Sequence, residues 1–240
     1  MPIIMKFFLL THAFEKKDVG KFPGLKDCIF NGQRFANDSF DSQGRDSKVI
    51  GNPALPFPEM FRSVKMTDWI EIIVISSIIY PVISERFLNF LKPHIQGNYQ
   101  TWKIDVKKGD VIYDYYILHI DNPKTDFVDY TKSVFKLFKN KPLFQYEDLN
   151  QEIKIKNDKE YFETITKYTP LKIDSVSLKA TKITFNTSKN TVDFFRCIST
   201  GYFGYFVSEK LKIEIEKQGF TGMIYKELDN INNFVQTEII

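Results

Sequence analysis

The apolar positions along this chain change period several times, and each change predicts an element. Met5 to Leu10 is a dense apolar run of strand length. From Glu15 to Met66 the periodicity is weak. Turn-forming clusters dominate there ("FPG", "NGQ", "DSQGRDS", "GNPALPFPEM"), so the stretch reads as irregular chain wrapping the domain. Ile70 to Ser76 is β-branched and almost wholly apolar, the pattern of a buried strand. Tyr99 to Val106 and Val111 to Ile120 read as paired strands, and "KKGD" between them supplies glycine where the chain must reverse. On the second strand Tyr113, Tyr115, Ile117 and His119 share one face by period-two alternation. In "YTKSVFKLFKN" the positions Val134, Leu137 and Phe138 are spaced as on a helix. "NDKEYFETITKY" predicts a further helix with Asn157 as its cap, and "KIDSVSLKATKITFN" returns to strand chemistry.

One phrase occurs twice. "PVISERFLNFL" (Pro81 to Leu91) and "YFVSEKLKIEI" (Tyr205 to Ile215) each run from an apolar segment through serine, glutamate and a basic residue into an amphipathic run. A serine oxygen can accept a hydrogen bond from an unpaired first-turn amide, and a glutamate behind it suits the positive end of the helix dipole. Ser84 and Ser208 therefore predict two helix starts. In the first helix Phe87, Leu88 and Leu91 fall on one face and Pro93 ends it. In the second, Gly219 suits the left-handed position after the helix, with Phe220 packing back on Ile215. Duplication and one folding solution used twice both account for the repeat. A Ser-Glu pair without a positioned His or Lys base has no nucleophile chemistry to offer.

The expected fold is α+β: a largely antiparallel or mixed sheet with two or more peripheral capped helices. One domain over 1–240 is the economical organisation, with an irregular amino-terminal lobe and first strand over 1–68 and a core over 69–228.

Composition adds bounds. Hydrophobic residues at 43% and charged residues at 26% are those of a globular chain. The 23 phenylalanines among 15% aromatics fit a Phe-rich core. A formal net charge of +3, with lysines scattered among acids, gives no basic stripe for nucleic acid. The longest apolar run, "WIEIIVISSIIYPVIS", carries Glu71 and Pro81 and is too short for a membrane span. "MPIIMKFFLLTHAF" lacks a small-x-small cleavage site. The expectation is a cytoplasmic protein without membrane or nucleic-acid partners, with Cys28 and Cys197 as ordinary thiols rather than a zinc site.

Chemical motifs are sparse. His12, His94 and His119 have no metal-ligand spacing. "DSFDSQGRDS" has the wrong spacing for a calcium loop, and no phosphate-binding glycine pattern occurs. No cofactor is expected and no catalytic residue is indicated. Paired carboxylates such as Asp126 with Asp129 leave a carboxylate-based hydrolase as an alternative. A scaffold using an aromatic surface is another.

A family resemblance says more. "VISERFLNFLKPH", "YQTWKIDVKKGDVIYDYYILHIDN", "DYTKSVF" and "YFGYFVSEKLKIEIEKQGFTGMIYKE", in that order, resemble the predicted immunity proteins of bacterial polymorphic toxin systems. The most specific part is Phe206, Val207, Ser208, Glu209, Leu211 and Lys212, followed by Thr221, Gly222 and Met223. The resemblance spans about Trp69 to Leu228 and carries over no catalytic residue. It implies a small cytoplasmic protein that binds a cognate toxin domain and blocks it, without a cofactor. The partner surface would carry aromatic anchors and a polar rim. Tyr113, Tyr115 and His119 are the candidate contacts, with Glu15–Met66 as a second region, and packing against another layer of the fold is the alternative for the tyrosines.

Overall fold

The computed structural model describes residues 6–30, 48–51, 53–72, 80–95, 97–120, 128–141, 146–168, 175–185, 192–197 and 204–228. Along them run β1 (Phe7–His12), α1 (Lys16–Val19), β2 (Leu25–Phe30), β3 (Pro56–Met60), β4 (Trp69–Ile70), β5 (Val82–Ser84) and α2 (Glu85–Leu91). Then come β6 (Tyr99–Lys108), β7 (Val111–Ile120), β8 (Val134–Asn140), β9 (Tyr146–Ile153), α3 (Asp158–Lys167) and β10 (Val176–Lys182). The chain continues with β11 (Phe194–Cys197), β12 (Gly204–Ser208), α4 (Glu209–Lys217) and β13 (Met223–Glu227). The strands form three sheets, ordered β11-β12-β1-β13, β10-β8-β9 and β2-β3-β6-β7-β5-β4. Every pairing is antiparallel except β3 with β6. The fold is α+β, as expected.

The repeated phrase is the visible part of a larger equivalence. One unit, β4-β5-α2-β6-β7, lies in the six-stranded sheet in the order β4-β5-β7-β6. The other, β11-β12-α4-β13, makes the order β11-β12-β1-β13. β1 takes the place in the second unit that β7 takes in the first, antiparallel to both its neighbours. Registers agree as well. Ser84 faces Tyr115 as Ser208 faces Phe7, and Tyr99 faces Ile120 as Met223 faces His12. Ser84 to Tyr99 and Ser208 to Met223 are segments of equal length. The second unit is thus closed by a strand from the opposite end of the chain.

Equivalent residues bury each other. Leu10 and Leu118, Ile83 and Val207, Trp69 and Phe194, Phe87 and Leu211, and Leu91 and Ile215 all lie in one core between the units. A second core fills the other face of the six-stranded sheet, with Ile104, Val106, Tyr115 and Ile117 packed on Val49, Met60 and Tyr80. A third, with Phe7, Leu9, Phe195 and Phe206, packs the four-stranded sheet on β8, β10 and Tyr161 of α3.

Three local expectations change. Within the stretch expected to be irregular, Leu25–Phe30 and Pro56–Met60 are strands that extend the six-stranded sheet, and β1 is central in another. β8 is a strand, not a helix: Phe135 and Leu137 point into the core while Phe138, on the opposite face, is also 6% exposed. With both faces covered the alternation disappears and helix-like spacing results. The predicted strand over Ile70 to Ser76 is described as far as Ile72 and pairs only at Trp69 and Ile70; residues 73–79 lie outside the described residues, as do 31–47 with the "DSFDSQGRDS" loop.

Candidate functional site

At the first junction the Ser84 oxygen accepts from the Phe87 amide and its hydroxyl donates to Asp68 Oδ1 at 2.8 Å. At the second, the Ser208 oxygen accepts from Leu211 and its hydroxyl donates to Asp193 Oδ1 at 2.6 Å. The backbones match too: the amides of Ser84 and Ser208 donate to the carbonyls of Asp68 and Asp193. So each helix start is held by an aspartate that opens the preceding strand of the same hairpin. These aspartates are not in the repeated phrase, and the shared Asp-aromatic step in "DWI" and "DFF" was the signal for them. α4 ends as expected. Gly219 is left-handed at φ 67°, its amide donates to Glu216, and the Phe220 amide donates to Ile215.

The two carboxylates sit where the units meet. Arg86 grips Asp68 with Nε at 3.3 Å and Nη2 at 2.8 Å, and the Thr221 amide from the other unit donates to it at 2.9 Å. Burial pushes the Asp68 carboxyl up, but hydrogen bonds from Arg86, Ser84 and Thr221 outweigh it and hold the group below its ordinary value. Asp193 is approached by Lys210 at 3.6 Å and by His94 of the first unit at 3.7 Å. A third cross-unit pair joins His12 to Glu71 at 2.5 Å. These groups are tied to one another, and the arrangement is a structural lock. An open groove of about 490 Å³ lies beside it, lined by Lys17, Lys65, Met66, Thr67, Phe220 and Gly222 among others. Its cations are engaged: Lys17 pairs with Glu15, and Lys65 donates to the Lys17 carbonyl. No group of acids, histidines and cysteines suited to a metal ion occurs among the described residues.

The candidate contacts on β7 face inward. Tyr115 is buried and its hydroxyl donates to the Thr67 carbonyl at 2.6 Å. Burial, with the nearby charge of Asp68, pushes that hydroxyl up. His119 is fully buried against Tyr80 and Trp102, and Tyr113 packs at the edge of the same core. Tyr115 and His119 are thus unavailable to a partner unless the sheet opens, which corrects the expected surface. Alternation shows which residues share a face, not which face is covered. Asp114 on the other face was the sign of the solvent side.

The opposite face is covered at Leu118 and Ile120 by the core between the units and is open at its other end. Side by side on it lie Ile29, Phe57, Asp105 and Asp114, and in the next row Asp27, Glu59, Lys107 and Ile112. Ile29, Phe57 and Ile112 are exposed among these charges, Ile112 by 57%. Lys103 pairs with Asp114 at 2.7 Å and Lys26 with Glu59 at 2.8 Å, so paired charges are interspersed with the apolar side chains. A solvent-facing side of an antiparallel sheet ordinarily alternates polar-out, so three large apolar residues here mark a surface of distinct character.

What fold and site define is a class: an α+β protein of antiparallel and mixed sheets, built around two equivalent units locked by aspartate-capped helices. No protein-family model matches the chain, and no curated protein matches it. No helix among the described residues is long and apolar enough to cross a membrane.

Proposed function

We propose that this chain is an immunity-type protein that binds and neutralises a cognate bacterial toxin domain without catalysing a reaction. The resemblance in the sequence motivates the reading, and the open end of the six-stranded sheet, around Ile29, Phe57 and Ile112, is the observation that carries it. Ile29 and Phe57, side by side, and Ile112, two strands away across Asp105 and Lys107, put exposed apolar side chains among paired charges, a mixture that protein-binding surfaces use. The residues that carry the resemblance build the second helix junction and so support the fold rather than the contact. A hydrolase would need two carboxylates converging on a substrate. Asp68 and Asp193 are instead each bound to a capping serine.

The test is co-expression with the cognate toxin, whose gene the reading expects immediately upstream. Rescue of growth and a co-purifying complex are expected. Ile112→Asp should abolish both while leaving the melting temperature within a few degrees. Continued killing with no complex would sink the reading, and an unaffected Ile112→Asp complex would move the surface elsewhere.

A further inference from the structure

The outer face of the sheet β10-β8-β9 holds a cation, Lys179, with no carboxylate partner among the described residues. On β10, Ser177 and Lys179 point away from the core that takes Leu178 and Ala180. Lys179 is registered against Lys136 of β8, and Ser177 against Phe138. From β9, Asp148 faces Phe138 of β8 and Tyr146 faces Asn140. Asp148 is taken by Lys136, with Nζ at 2.9 Å. The Lys179 ammonium instead lies over the Tyr146 ring, 2.9 Å from its centroid. Beside it Ser177 donates to Asn140 Oδ1 at 2.9 Å, and Asn140 donates to Ser175 at 2.8 Å.

An ammonium taken partly out of water needs compensation, and a like charge directly across the strand pair adds to the cost. An aromatic face supplies part of it. Burial pushes the Lys179 amine down to about 8, and no carboxylate acts against that shift. Lys136, Lys154 and Lys179 stand against Asp148 and Glu152 here, with Glu152 facing Lys136 and paired with Lys154, so the patch keeps a single net positive charge that one singly charged anion would neutralise. Phe138, 6% exposed and between these groups in the register, gives the patch an apolar floor.

We propose that this face is a binding site for one carboxylate group, received by Lys179 against Tyr146 with Ser177 and Asn140 alongside. The carboxylate can be carried by a small organic acid or by an acidic side chain, and the chemistry recognised is the same. The inference is independent of toxin binding, because it is tested on the isolated chain.

The experiment follows acylation of individual lysines by mass spectrometry across pH, in acetate, in N-acetylglutamate amide and in inorganic phosphate, with sodium chloride holding ionic strength constant. Acetate should raise the Lys179 midpoint by half a unit or more and leave the neighbouring exposed Lys182 unmoved. An equal effect of the blocked glutamate extends the site to acidic side chains; no effect restricts it to small acids. Lys136→Met frees Asp148 to turn to Lys179, so the midpoint should rise without acetate and the acetate response should vanish. Lys179→Arg keeps the charge and should retain stabilisation by acetate at pH 9, where the native chain has lost it. A Lys179 midpoint that moves no more in acetate than in chloride overturns the site. A larger shift with phosphate overturns the choice of a single carboxylate.

Discussion

The two helix junctions share a backbone plan and differ in grip. Asp68 receives Ser84, both nitrogens of the Arg86 fork, and Thr221 from the opposite unit. Asp193 receives Ser208 closely, with Lys210 and His94 at 3.6 Å and 3.7 Å. A guanidinium can hold a carboxylate at two points, while an ammonium is a single charge on a flexible stem. The cap and its aspartate therefore suffice to make the strand-to-helix junction, since both copies have them. The additional bonds at Asp68 serve a second task, holding the two units together. Contact between the units is reciprocal in plan and unequal in strength, with the turn after α4 docked on Asp68 and Trp69 more tightly than the turn after α2 is docked on Asp193.

The largest test of this inequality is at the turn itself. The Trp69 amide donates to the Thr221 carbonyl, and the Ala13 amide to that of Gly222. Gly222 has φ 91°, and a Cβ there would lie 2.3 Å from the Trp69 carbonyl oxygen and 2.3 Å from Thr67 Oγ1. Gly222→Ala should cost about 3 kcal/mol or more, since backbone must move and a left-handed residue is strained besides. The position matching it in the first unit is the exposed Asn98. Asn98→Ala should stay within about 0.5 kcal/mol. Chemical denaturation of both variants measures the gap, and equal losses would break the comparison.

Next in size is the aspartate. Asp68→Ala removes the acceptor of a buried network and should cost about 3 kcal/mol, against about 1 kcal/mol for Asp193→Ala. The pH dependence gives the same comparison a sign. The Asp68 carboxyl is held below its ordinary 3.8 in the folded chain, so its contribution is complete above that value and fades as pH falls through the folded one. The stability gap between the native chain and Asp68→Asn should be constant from pH 5 to 7 and close below about pH 4. Thermal melts across that range check it; a gap that widened in acid would contradict the assignment.

Much of this architecture was legible because it is local. The caps at Ser84, Asn157 and Ser208, the Gly219 ending and the β6–β7 hairpin each depend on a few adjacent residues. The place of β1 was not legible, because its partners Tyr205–Ser208 and Met223–Glu227 lie at the far end of the chain and alternation does not name a partner. For the same reason the matching order of the two units stayed hidden behind one repeated phrase. The surface was half legible. The pattern on β7 put Tyr113, Tyr115 and His119 together correctly, but whether a face is wet depends on what β2, β3 and the residues near Val49 cover. That coverage is tertiary.

The smallest effect expected is at the caps, and there the order reverses. Ser84 and Ser208 each accept one amide hydrogen bond, and losing such a cap costs about 1 kcal/mol. Ser208, however, is fully buried, and among the described residues its hydroxyl is the one close donor to the Asp193 carboxylate, whereas Asp68 keeps Arg86 and Thr221 when Ser84 is removed. An aspartate stripped of its near donor carries a further desolvation cost. Ser208→Ala should therefore be the more damaging by roughly 0.5–1 kcal/mol, although the Asp193 junction is the weaker of the two when the aspartate itself is removed. A double-mutant cycle separates the contributions: Ser208→Ala with Asp193→Ala should fall well short of the sum of the single changes, while Ser84→Ala with Asp68→Ala should come closer to additive. Coupling of equal size at both sites would show that the extra partners of Asp68 do not share its load.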